Sequence, residues 1–170
     1  LYLIFGSHAG GIYITELNPK TKKLNDFPNN KDSKDVISRL TKIANNFNSE
    51  IDDEIELSGI EAPYLYKKND YYYLFVNWGS CCSGINSTYS VRVGRSKSIK
   101  GPYLDQSGKS MLNYGGSEFL PNTDQYIGSG HIGITNISNL KGINLDSNYL
   151  VSFHYYDSSN YGNSKLAARL

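Results

Sequence analysis

Short apolar and aromatic runs recur along the chain with polar turns between them. LYLIF (residues 1–5) is followed by IYITEL (12–17), which the stretch NPKTKK ends. PYLYKKNDYYYLFVNW (63–78) has the form of a hairpin, with Asn69-Asp70 at its tip. STYSVRVGRS (87–96), GPYL (101–104) with the turn DQSGKS, QYIGSGHIGIT (125–135), NYLVSFHYY (148–156) and KLAARL (165–170) continue the series. Runs of this length, rich in Tyr, Val, Ile and Phe, predict strands, and the whole is an all-β pattern. Residues 18 to 50 are crowded with Lys and Asn; DVISRLTKIANNF within them has the makings of a short helical turn, and the region reads as a long loop between elements.

The spacing adds an architecture. A strand–turn–strand unit begins near residues 1, 62 and 111, each followed by a further strand. This is the pattern of four-stranded blades repeating around the axis of a β-propeller. About three such blades fit in the chain, and closure takes at least about four. A two-sheet sandwich produces similar periodicity, so spacing alone leaves both architectures open.

Composition narrows the partners. The 170 residues carry a formal net charge of +1, which gives no basic footprint for nucleic acid. No run approaches the roughly 18 apolar residues of a membrane span, so no membrane partner is expected. LYLIFGS has no basic leader region and reads as a strand already under way at Leu1, so the chain is expected to be a piece whose preceding sequence, with any signal peptide, has been cut off. The 15 Tyr suit surfaces that stack on sugars, and equally suit strands. Cys81 and Cys82 are neighbours, where a disulfide is strained, so they are expected to be buried thiols and not a staple. With two Cys and three scattered His, a zinc site has no support.

Four segments in order, IEAPYLY (60–66), YYYLFVNWGSCCSGINSTYSVRVGRS (71–96), GPYLD (101–105) and GSGH (128–131), closely resemble glycoside hydrolase family 43. The segment CCSGINSTY is most similar to its endo-α-1,5-L-arabinanase branch. The resemblance runs from FGSHAGGI to KLAARL and weakens across the Lys- and Asn-rich loop. It implies a five-bladed β-propeller of which this chain, residues 1–170, holds about the last three blades, the missing N-terminal blades of the same protein being its partner in the fold. It implies a secreted enzyme that cleaves arabinan or arabino-oligosaccharides by single-step inversion. An arabinofuranosidase or β-xylosidase of the same family is one alternative, and a carbohydrate-binding propeller without catalysis is another.

The resemblance makes Glu61, in the EAPY motif, the general acid. The residues agree: beside Ile60 and Ala62 at the floor of a cleft, desolvation disfavours the charged carboxylate and keeps a proton available, while Pro63 fixes the backbone entering the strand. Inversion also needs a carboxylate base about 6.5 to 9.5 Å away, with room for a water. In the family that base and the Asp that tunes the acid lie in motifs preceding the region of Leu1, and Asp52, Asp53 and Asp157 stand in no matching motif. His131 of GSGH matches a histidine on the propeller axis that in several members helps hold a metal, often calcium. Calcium prefers oxygen, so one imidazole would complete a mostly aqueous shell. Ser129 stands where the motif usually has Pro. His8 and Ala9 replace two aromatic residues near the sugar cleft, while Ser7 remains as a hydroxyl partner for substrate. Trp78, Cys81, Cys82 and the NSTY turn correspond to a loop bordering the active centre. Trp78 and Cys82 are accordingly candidate substrate contacts, although burial in the core explains Trp78 equally well.

Overall fold

Ten antiparallel strands build three sheets in the computed structural model, which describes residues 1–7, 10–24, 38–46, 59–138, 148–160 and 163–169. The first sheet has the order β1 (Tyr2–Ser7), β2 (Gly11–Glu16), β3 (Thr41–Ala44). The second has β4 (Ile60–Lys68), β5 (Tyr71–Trp78), β6 (Ser90–Ser96), β7 (Ser117–Leu120). The third has β8 (Ile127–Asn136), β9 (Tyr149–Asp157), β10 (Asn163–Arg169). Each sheet is a meander, strand following neighbour in chain order.

The second sheet is covered on both faces, which explains why β5 reads as a nearly unbroken apolar run. Leu74 and Val76 point one way, into a cluster with Ile12 and Ile14 of β2, Ile43 of β3 and the loop residues Tyr103 and Met111. Phe75 points the other way, into a cluster with Val91 of β6 and Ile132 of β8. Side chains alternate across a strand, so a strand packed on both sides must be apolar at consecutive positions. The hairpin joining β4 to β5 turns at Asn69, whose φ of 53° is of the kind Asn tolerates best among non-glycine residues.

Four expectations change. The region read as one loop over residues 18–50 contains β3, at TKIA, with Ile43 and Ala44 buried against the first core cluster. GPYL is not a strand: Leu104 makes only isolated bridges to Arg95 and Ser110, and Tyr103 fills the core beside it. The third unit begins at Ile127 and not near 111, because Ser117–Leu120 pairs with β6 as the outermost strand of the second sheet. Cys81 and Cys82 are joined to each other as a vicinal disulfide, with Cys82 at a φ of 67° and exposed to solvent, so they are not buried thiols.

Candidate active site

The opening strands of the three sheets converge. Ile4, Phe5 and Gly6 of β1, Glu61 to Tyr64 of β4 and His131 and Ile132 of β8 line one open cleft of about 430 Å³. Tyr64 ties two of these strands together, its Oη donating to the Ile134 carbonyl at 2.8 Å.

Glu61 owes its direction to a break in the sheet. On β4, Glu61 faces Asn77 of β5 and Tyr64 faces Phe75, so three steps along β4 match two along β5. The extra residue is a β-bulge, which bends a strand and re-aims the side chains beside it. The sequence supports it locally: Pro63 has no N–H to lose from the ladder, and Ala62 takes the left-handed φ of 50° that the bulge demands. Half-buried in the cleft, the Glu61 carboxylate accepts a hydrogen bond from the Tyr89 hydroxyl, Oη to Oε1, at 2.8 Å.

Tyr89 is fully buried just before β6. Its ring lies against Gly130 so closely that a Cβ there would stand 2.5 Å from Cδ1 and Cε1. On another side it stacks on His154 of β9, ring centres 6.1 Å apart and planes inclined by 17°. Burial first, then the hydrogen bond to Glu61 and its negative charge, push the Tyr89 phenol far above its ordinary value, so it remains a donor. His154 in turn lies 5.4 Å, centre to centre, from His131. Burial, followed by the charge of His131, holds His154 below its ordinary value.

Asn77 binds the arrangement together from the middle strand of the second sheet. Fully buried, it donates through Nδ2 to the carbonyls of Ser90 at 3.2 Å and Ser129 at 3.1 Å, and its Oδ1 accepts the His131 N–H at 3.2 Å. One amide thus satisfies three backbone groups from two sheets, and His131 holds a φ of 50° there.

The residues singled out from sequence are divided. Glu61 and His131 share the cleft. Ser7 closes β1 opposite Gly11, its side chain outside the described set, and His8, Asp52 and Asp53 lie outside the described residues. Trp78 does not line this cleft; it packs on Tyr114 at 4.8 Å with the Arg92 guanidinium 4.9 Å from its ring, at the edge of the first core cluster. Cys82 sits on the exposed connection between β5 and β6 and is likewise absent from the lining. Asp157, at the end of β9, accepts from the N–H and hydroxyl of Ser159. Sequence reasoning missed the roles of Tyr89, Asn77 and His154. The first two stand inside segments already noted for their order, NSTY and YYYLFVNW, but nothing local shows what they touch.

Among the described residues no three His, Cys, Asp or Glu side chains come together as a metal site. The ring beside the His131 imidazole is that of His154, at 5.4 Å between centres, and calcium takes six to eight oxygens.

The profile of Glycosyl hydrolases family 43 matches residues 1–165. The extracellular endo-α-(1→5)-L-arabinanase 1 of Bacillus subtilis strain 168 is 40% identical over 165 residues, which are 97% of this chain and 42% of that protein. The extracellular exo-α-(1→5)-L-arabinofuranosidase of Cellvibrio japonicus is 36% identical over 77% of this chain and 35% of its own length. Among solved structures, the Cellvibrio cellulosa α-L-arabinanase complexed with arabinohexaose superposes with a TM-score of 0.75 at 31% identity, covering 98% of this chain and 48% of that one. The GH43 endo-arabinanase of Bacillus licheniformis gives a TM-score of 0.74 at 35% identity, with 99% and 48% covered. The chain therefore spans less than half the length of these relatives.

Proposed function

We propose, on the footing that this chain belongs to family 43 of the glycosyl hydrolases, that it forms part of a secreted enzyme cleaving α-1,5-linked L-arabinan by single-step inversion, with Glu61 as the general acid. The observation that carries this reading is the position of Glu61: a half-buried carboxylate, re-aimed by a bulge into a cleft shared by three sheets, with a hydroxyl donor fixed on one of its oxygens. In the reaction the other oxygen gives its proton to the glycosidic oxygen as the bond from that oxygen to the anomeric carbon breaks. A water attacks the opposite face of the sugar and yields its own proton to a second carboxylate. No other carboxylate lines the cleft among the described residues. In this reading the base comes from the blades preceding Leu1, and the three sheets are the last three of a five-bladed propeller. Meandering sheets whose first strands converge on one cleft support that arrangement. The extracellular names of two relatives support secretion. A calcium ion near His131 would be held mainly through water, and no step is assigned to it.

Internal cleavage is the first reading because an endo-arabinanase is 40% identical over 97% of this chain; release of single arabinose units is the second, favoured by the exo-acting relative. Both are read in one experiment on the full-length protein and its Glu61→Gln variant, following product length over time on linear arabinan and on xylan. Wild type should give short arabino-oligosaccharides early. The variant should lose about 10²- to 10⁴-fold in turnover on these poor leaving groups and much less on activated aryl arabinosides. Only monomeric arabinose would favour the exo reading, and activity on xylan instead would discard the arabinan assignment. Equal losses on both leaving groups would make Glu61 a binding residue and not the acid.

A further inference from the structure

Resting on the reading of Glu61 as the acid, we infer that Tyr89 is a positioning residue that selects which oxygen of Glu61 carries the transferable proton and steadies the carboxylate left behind. The hydroxyl of Tyr89 donates to Oε1 at 2.8 Å. An oxygen that accepts a hydrogen bond is the poorer place for the acid's own proton, so the proton is kept on Oε2. As the Oε2–H bond breaks and the proton bonds to the leaving oxygen, negative charge grows on Glu61, and the Tyr89 hydrogen bond becomes charge-assisted and stronger. An interaction that strengthens in the transition state speeds the chemical step without tightening substrate binding.

The surroundings make this geometry hard to escape. The ring of Tyr89 is fully buried between the bare backbone of Gly130 and the face of His154, so the hydroxyl cannot swing away from Oε1. Among the described residues, the other groups facing the cleft leave the task to Tyr89. The β1 lining, Ile4, Phe5 and Gly6, has no titratable side chain. Tyr64 of β4 spends its hydroxyl proton on the Ile134 carbonyl. From β8 comes His131, and behind Tyr89, on β9, stands His154.

The test is the pH profile of kcat/KM for the full-length enzyme on linear arabinan, whose alkaline limb reports loss of the acid's proton. Removing the donor makes the carboxylate less stable, so the proton is retained to higher pH. Tyr89→Phe should therefore move the alkaline limb upward, lower kcat about 10- to 100-fold and leave KM nearly unchanged. Placing 3-fluorotyrosine at position 89 keeps the ring in its slot, and its more acidic hydroxyl donates more strongly; the limb should then move downward. Opposite movements of the limb in the two variants are something ring packing alone cannot produce. A limb unmoved in both, whatever happens to kcat, overturns the inference. Glu61→Gln measured alongside separates the two failures: if it retains full activity, the acid assignment falls and this inference with it, whereas an inactive Glu61→Gln beside unmoved Tyr89 profiles overturns the inference alone.

Discussion

A methyl group on Gly130 would stand 2.5 Å from two ring carbons of Tyr89 and 2.8 Å from the Asn77 amide nitrogen. Neither neighbour can yield easily, since the ring is enclosed and the amide is held by three hydrogen bonds. The backbone of Gly130 does not itself need glycine, because its φ is not among the positive ones. Gly130→Ala is thus a purely steric probe. Overpacking of this kind costs about 1 to 3 kcal/mol, so the melting temperature of the full-length protein should fall. Activity on arabinan should drop with it, because the displaced ring draws its hydroxyl off Glu61. A variant that melts and works like wild type would mean that Tyr89 has room the structure does not give it. At this scale the order of short motifs singles out Glu61 and His131, and both line the same cleft. The sequence is silent about Tyr89 meeting Glu61, 28 positions away, and about Asn77 meeting the backbone of His131, because contacts between sheets leave no local mark. Trp78 and Cys82 illustrate the converse, for adjacency to such motifs in the chain did not bring either into the cleft lining.

Strand β4 shows how an element converts an ordinary ladder into a site. Ala62 sits at a φ of 50°, a region that costs an L-residue about 1 to 2 kcal/mol, and the register gained there is what turns Glu61 toward the cleft. Ala62→Gly should preserve the bulge, the melting temperature and the activity. Ala62→Val places a β-branched side chain where it is least tolerated, and should lower both thermal stability and turnover as the bulge shifts to relieve it. Equal behaviour of the Val and Gly variants in melting and in rate would show that the bulge is held by something other than this residue's backbone. The long hairpin of β4 and β5 was legible because two-sided burial makes an apolar run and a polar tip interrupts it. TKIA and SEFL, the strands β3 and β7, were not. Each has four residues, belongs to the outermost strand of its sheet and is flanked by polar sequence, and β7 has no fully buried side chain. Such a strand is specified by its neighbour's free edge more than by its own pattern.

On the scale of the whole molecule, the two core clusters lie on either side of the second sheet, and among the described residues the outer side of the first sheet has no such cover. Ile4 packs toward the shared cluster, so alternation along β1 turns Leu1, Leu3 and Phe5 to the opposite side, where they are 52%, 45% and 37% exposed. In the proposed five-bladed propeller this is the face on which the preceding blade packs. Apolar residues in a row on an edge strand invite pairing with another copy when that cover is missing. Residues 1–170 expressed alone should therefore self-associate at micromolar concentration in sedimentation velocity, while the full-length protein stays monomeric. Replacing Leu1, Leu3 and Phe5 together by Thr should reduce the association of the piece, since Thr keeps the strand and removes most of the apolar surface. A monodisperse monomer of the unsubstituted piece, with one sharp cooperative melt, would instead mean that these residues close on themselves as a complete domain. The three sheets would then not be part of a five-bladed ring, and the base that inversion requires would have to be sought within this chain.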